Sequence, residues 1–193
     1  MFGVVFMYFR HGHLELIFDE NDGKSHTVND ISFFIGVLSC FGILIVACFQ
    51  VTKVWIPHMA GAALGFISGC VYCWLQSYLS YVVAGTMGRK IVLRIVLAAS
   101  GSLGLLLYFV FAKLAGVDDP KKDLLHWLPS VPGYVWRVIS CFFEWICALS
   151  VLGYFLTFYK EFLEVDFKVH VGHKQDDTAD DNELKKRYNT SQL

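Results

Sequence analysis

The chain has 193 residues, 55% of them hydrophobic and only 17% charged, with 17 Phe and a formal net charge of −1. That composition excludes an ordinary soluble domain, and the near-neutral balance lacks the basic excess of a nucleic-acid binder. What it describes is an integral membrane protein whose first partner is the lipid bilayer.

Residues 1–9 are apolar but too short to span a membrane. They have neither a basic n-region nor a small-residue cleavage site, so they are not a signal peptide and read as a partial hydrophobic segment. Residues 10–30 carry charges of both signs and read as a loop. The first charge-free run extends from Ile31 to Thr52, and the next from Val54 to Gly88. The latter is too long for one helix. Pro57 favours the start of a helix, which places the second span over 57–82 after a tight connection around 50–56. A third span fits between Arg94 and Lys113, and a fourth over 134–159. The fold class is therefore all-α: a polytopic transmembrane bundle over 31–162 with four full spans and an N-terminal partial span, followed by a tail over 163–193.

With those ends, eleven Lys and Arg fall on one side of the membrane and five on the other. The excess assigns the 10–30 segment, the 83–94 connection and the tail to the cytosol. The tail carries an acidic block from Asp176 to Glu183 and then Lys185, Lys186 and Arg187, a composition expected of a solvated, disordered segment. Its final Ser191-Gln192-Leu193 is short enough to arise by chance, and its Asn189-Thr190-Ser191 sequon would be unused on a cytosolic tail.

The one carboxylate inside the fourth span is Glu144, bracketed along the chain by Arg137 and Lys160. An intramembrane carboxylate costs a few kcal/mol and normally faces protein. Ser140, Cys141, Cys147 and Ala148 sit at three- and four-residue spacings from it, so Glu144 is expected to point into the bundle, with Tyr72 or Gln76 as hydrogen-bonding candidates. Either a register-setting hydrogen bond or a proton relay would account for it. His58 stands near the non-cytosolic mouth of the second span, where a histidine either marks the interface or senses luminal acidity. Gly61, Gly65 and Gly69 recur every fourth residue and leave one face almost bare backbone, suited to another helix of this chain, to a partner membrane protein or to self-association. The six cysteines all fall in predicted spans and serve as small apolar residues. No phosphate loop, nucleophile elbow, metalloprotease motif or loop cluster of His and Cys is present, so neither catalytic residue, cofactor site nor metal site is assigned.

Several runs together carry a family likeness: Gly36-Val37-Leu38-Ser39-Cys40-Phe41-Gly42, Ile45-Val46-Ala47-Cys48-Phe49-Gln50, His58 with Gly61-Ala62, Tyr72 to Gln76, Leu125-His126-Trp127, Glu144-Trp145, and Tyr154 to Phe162. In order and spacing they resemble the damage-regulated autophagy modulators (DRAM) of the wider Frag/DRAM/Sfk membrane family. The resemblance implies six helices with both ends cytosolic, a lysosomal or endosomal membrane, and promotion of autophagy without enzymatic activity, linked in some members to apoptosis. Its Sfk branch implies a plasma-membrane regulator of phosphoinositide or lipid distribution as the alternative, and Glu144 leaves a proton-coupled transporter as another. Members begin with a complete helix and a luminal Pro-Tyr-Ile-Ser-like loop, so Met1 to Phe9 look like the second half of the family's second helix. Cys48 stands where members usually carry Asn. Glu144 and Trp145 serve best as family markers.

Overall fold

The computed structural model describes residues 2–18, 22–117 and 128–163. Among them are five long helices and one short one, and no strand: α1 (Phe2–Ile17), α2 (Gly23–Cys48), α3 (Trp55–Ala84), α4 (Arg89–Ala115), α5 (Tyr134–Leu156) and α6 (Tyr159–Leu163). Four stretches are long and apolar enough to cross a membrane: α2, α3, α4, and Tyr134–Leu163, which joins α5 to α6. At about 1.5 Å per residue each clears a hydrocarbon core of about 30 Å. The four expected spans are therefore present. The tail, the His126-Trp127 pair and Lys121 and Lys122 lie outside the described residues.

The structure differs from the sequence reading at the N-terminal end. The apolar segment does not stop at residue 9: α1 continues through Arg10 to Ile17, and α2 begins at Gly23. Most of the expected 10–30 loop is thus helical. The cause is visible along α1, where Gly3, Met7, Arg10 and Leu14 recur at four- and three-residue steps, so a charged residue continues the inward stripe of an apolar helix. Met7, Arg10 and Leu14 are all at most 3% exposed. Asp22 then caps α2 by accepting the Ser25 backbone N–H at 3.2 Å. Hydrogen bonds from Ser25 hold the Asp22 carboxyl below its usual range.

Helices α2 and α3 form one close hairpin, and α4 and α5 another. Small residues make both possible. A Cβ on Gly42 would lie 2.7 Å from Gly65 Cα and 2.8 Å from the Gly61 carbonyl oxygen, and one on Gly104 would lie 3.0 Å from the Cys147 nitrogen. Since lipid tails are as apolar as the helices, association here depends on such close packing and on polar contacts. Ser39 donates to the Gly65 carbonyl at 2.7 Å, and Ser100 and Ser150 pair at 2.8 Å across α4 and α5. Trp74 on α3 donates to Ser102 on α4 at 3.0 Å. Helix α1 closes the bundle through Phe6, whose ring packs edge-on against Phe155, Phe158 and Phe162 at 4.8 to 5.7 Å. The turn after α3 needs positive φ at Gly85 (64°), and Gly133, at 91°, starts α5 against the Ala115 backbone.

Replacing Gly42 by Ala forces the α2 and α3 backbones apart and is expected to cost about 1–3 kcal/mol. A Cβ on Gly12 of α1 would meet nothing within 4 Å, so Gly12→Ala should instead stabilise by about 0.5–1 kcal/mol. Thermal unfolding of the two purified variants in one detergent checks both signs.

Candidate functional site: a buried arginine–carboxylate cluster

Three charges, Arg10, Arg94 and Glu161, converge at the end of the bundle where α3 and α5 finish and α4 begins. Arg10 and Arg94 are 3% and 2% exposed. Glu161 on α6 bridges them: its Oε2 accepts from Arg10 Nη1 at 2.9 Å and its Oε1 from Arg94 Nη2 at 2.6 Å. Both guanidinium carbons also rest against the buried Phe158 ring, 4.6 and 3.9 Å from its centre. One aromatic ring and one carboxylate thus hold two cations together in a low-dielectric setting.

Neutral groups take up the remaining donors. Arg10 Nε donates to Gln76 Oε1 at 3.0 Å, and Gln76 Nε2 donates to Ser32 at 2.9 Å, which ties α1 through α3 to α2. Arg94 donates to the Ser80 hydroxyl at 2.7 Å and to Thr157, by Nε to the side-chain oxygen at 2.9 Å and by Nη2 to the carbonyl at 3.3 Å. Beside the cluster opens a cavity of about 390 Å³, lined among others by His13, Thr86, Arg89 and Lys90. Every one of the five long helices, or the turn that follows it, contributes to this network.

The residues singled out in the sequence divide among different settings. Gln76 sits in the centre of the arginine network, where it serves Arg10 and Ser32. Glu144 is half-buried on α5 and faces α4 near Tyr108, itself in contact with Arg137. Among the described residues it makes no hydrogen bond or ion pair. Trp145, next in the chain, is 66% exposed and points away from the bundle. His58 hydrogen-bonds through Nδ1 to the Phe49 carbonyl at 2.6 Å and so clasps the end of α2 to the start of α3. Gly61, Gly65 and Gly69 are buried against Ile45, Ile43 and Ser39 of α2. That face is already covered by a helix of the same chain, and a second copy would reach it only by displacing α2.

Arg10, Arg94 and Glu161 escaped the sequence reading because charges near span ends look like water-facing flanks. A signal was nonetheless present. Ile91, Arg94, Ala98 and Gly101 lie on one stripe of α4, and Tyr154, Phe158 and Glu161 continue the inward row of α5, each at three- and four-residue steps. A second polar group also went unrecognised. His11 and Glu15 on α1 meet His26 and Asp30 on α2: His11 Nε2 is 2.8 Å from Asp30 Oδ1 and 3.9 Å from Glu15 Oε1, and His26 Nδ1 is 2.7 Å from Glu15 Oε2.

Removing Glu161 leaves two guanidiniums buried beside each other with no counter-charge. Glu161→Gln is expected to lower stability by about 3–5 kcal/mol, while Glu144→Gln, which breaks no hydrogen bond or ion pair among the described residues, changes it by less than about 1 kcal/mol. Denaturation of both variants in mixed micelles, followed by tryptophan fluorescence, makes the comparison.

Comparisons with known proteins cover the same helices. The family model described as the Frag1/DRAM/Sfk1/Cwh43P N-terminal domain matches residues 1–165. The chain is similar to DNA damage-regulated autophagy modulator protein 2 of Mus musculus, 29% identical over 172 residues that make up 86% of this chain and 64% of that protein. It is also similar to DNA damage-regulated autophagy modulator protein 1 of Xenopus laevis, 34% identical over 171 residues, 88% of this chain and 70% of the relative. A third relative, Modulator of macroautophagy TMEM150B-A of Xenopus laevis, is 28% identical over 166 residues, 84% of this chain and 63% of its own length. This chain therefore spans just under two thirds of the mouse relative. No solved structure matches it. With a single family model matching residues 1–165, through α6 and its Glu161, the chain belongs to the Frag1/DRAM/Sfk1/Cwh43P family.

Proposed function

We propose that this protein is a multi-pass, non-enzymatic modulator of autophagy in a lysosomal or endosomal membrane, with its C-terminal tail in the cytosol. The observation that carries the reading is the family match over residues 1–165 together with relatives named as autophagy modulators. The cytosolic assignment of the Arg89 end rests on the Lys and Arg excess at that end.

The chemistry of the bundle suits such a role better than transport through Glu144. A proton relay needs a chain of hydrogen-bonded titratable groups leading through the membrane. Glu144 is joined to none among the described residues, and the buried charge lies instead at one end, where Glu161 ties helices together. A network of that kind sets the relative positions of α1, α3, α4 and α6 and so presents one defined surface to partners in the membrane or the cytosol. Modulation then proceeds through binding, and a link to apoptosis would be a downstream consequence.

The test combines place with effect in cells lacking the endogenous protein. A C-terminally tagged chain should colocalise with a lysosomal marker, lose its tag to protease in intact organelles, and restore turnover of an autophagic cargo reporter. A signal confined to the plasma membrane, or reporter turnover indifferent to the protein, contradicts the proposal.

A further inference from the structure

The group formed by His11, Glu15, His26 and Asp30 has a feature that the arginine cluster lacks: all four side chains are metal-ligand types, and three of them, His11, Glu15 and Asp30, are already gathered at ligand spacing. Each helix supplies one imidazole and one carboxylate four residues apart, His11 and Glu15 from α1, His26 and Asp30 from α2. Four-residue spacing puts both members of a pair on one helix face, and the two faces meet. One ligand atom each from His11, Glu15 and Asp30 falls within a common 4.8 Å. His26 approaches from the other side of Glu15, at 2.7 Å.

Around a tetrahedral zinc ion, ligand atoms bound at about 2.0–2.2 Å stand about 3.3–3.6 Å from one another. The contacts in the cluster, 2.8 and 3.9 Å from His11 and 2.7 Å from His26, bracket that separation. Small side-chain adjustments would bring His11, Glu15 and Asp30 to it, and His26 would join as the fourth ligand by turning from its contact with Glu15. Charge balances in the loaded site: one divalent cation held by two neutral imidazoles and two carboxylates sums to zero. Asn29, fully buried behind the cluster, orients a ligand by donating to Glu15 Oε1 at 2.8 Å and to the His11 carbonyl at 3.1 Å. The site precedes the charge-free run that begins at Ile31, and Asp30 is open to solvent, so an ion has a path to it.

We propose that His11, Glu15, His26 and Asp30 form a binding site for a divalent transition-metal ion of the zinc class, which would staple α1 to α2. His13, two residues from His11, lines the cavity beside Arg94 instead and serves as an internal control.

The experiment uses the purified full chain in detergent, titrated with Zn²⁺ alone against a chelating indicator, and with Co²⁺ to read ligand geometry by visible absorption. Expected are one ion per chain, a Co²⁺ spectrum of tetrahedral type, and a Zn²⁺-dependent rise in the unfolding temperature. His26→Gln and Asp30→Asn should each weaken binding about tenfold or more, while His13→Gln leaves it unchanged. Because the Asp30 side chain is 61% exposed, Asp30→Asn keeps the fold and remains informative if a histidine variant is lost to misfolding. No uptake above that of a Glu15→Gln, Asp30→Asn double variant, or binding that follows His13 or the cysteines, overturns the proposal.

Discussion

The constraint on which the bundle depends is that two arginines, Arg10 and Arg94, are buried with a single carboxylate between them. A guanidinium removed from water carries a penalty of several kcal/mol that only close counter-charge and saturated hydrogen bonding offset. Glu161 supplies the first at 2.9 and 2.6 Å. Gln76, Ser80 and Thr157 supply the second. Those partners come from α3, α6 and the residue after α5, so satisfying the charges fixes where each helix ends relative to the others. Apolar burial cannot do this in a bilayer, where the surroundings are equally apolar.

Glycine packing and the charge cluster divide the labour. The Gly42–Gly65 and Gly104–Cys147 approaches bring α2 to α3 and α4 to α5 until backbones touch, which makes two rigid hairpins. Neither approach joins one hairpin to the other. The cluster does, together with Phe6, Phe158 and the Trp74–Ser102 bond. Helix α1 depends on it most, being short and held on one side by Arg10 and Phe6. At the far end of α2, His58 needs only the Phe49 carbonyl to fasten a turn.

Much of this was legible from residue order alone. Three charge-free runs, and a fourth apolar run interrupted only by Arg137 and Glu144, announce four spans, and a glycine every fourth residue announces a bare helix face. Which helix fills that face was not legible: Gly42, the counterpart of Gly65, lies in a run that reads as ordinary apolar filling. The buried arginines were hidden for a different reason. A charge within a turn or two of a span end snorkels to water unless something at its own depth neutralises it, and Glu161 is 151 residues from Arg10. The three- and four-residue stripes place Arg10, Arg94 and Glu161 inward, but only tertiary folding brings the three stripes together. The same holds for His11, Glu15, His26 and Asp30, whose helical spacing is plain and whose meeting requires the α1–α2 turn. Conversely, Glu144 attracts notice because it is alone, and in the bundle it stays outside the charge network.

That Glu161 holds α4 in place by direct interaction with Arg94 is tested most directly by a double-mutant cycle on Arg94→Gln and Glu161→Gln, read as unfolding free energies in one detergent. A coupling of about 1–3 kcal/mol, with the double variant more stable than the sum of the single losses allows, is the expected result. Additivity within about 0.5 kcal/mol would show that the two side chains do not interact and that α4 is held in place by something other than this ion pair.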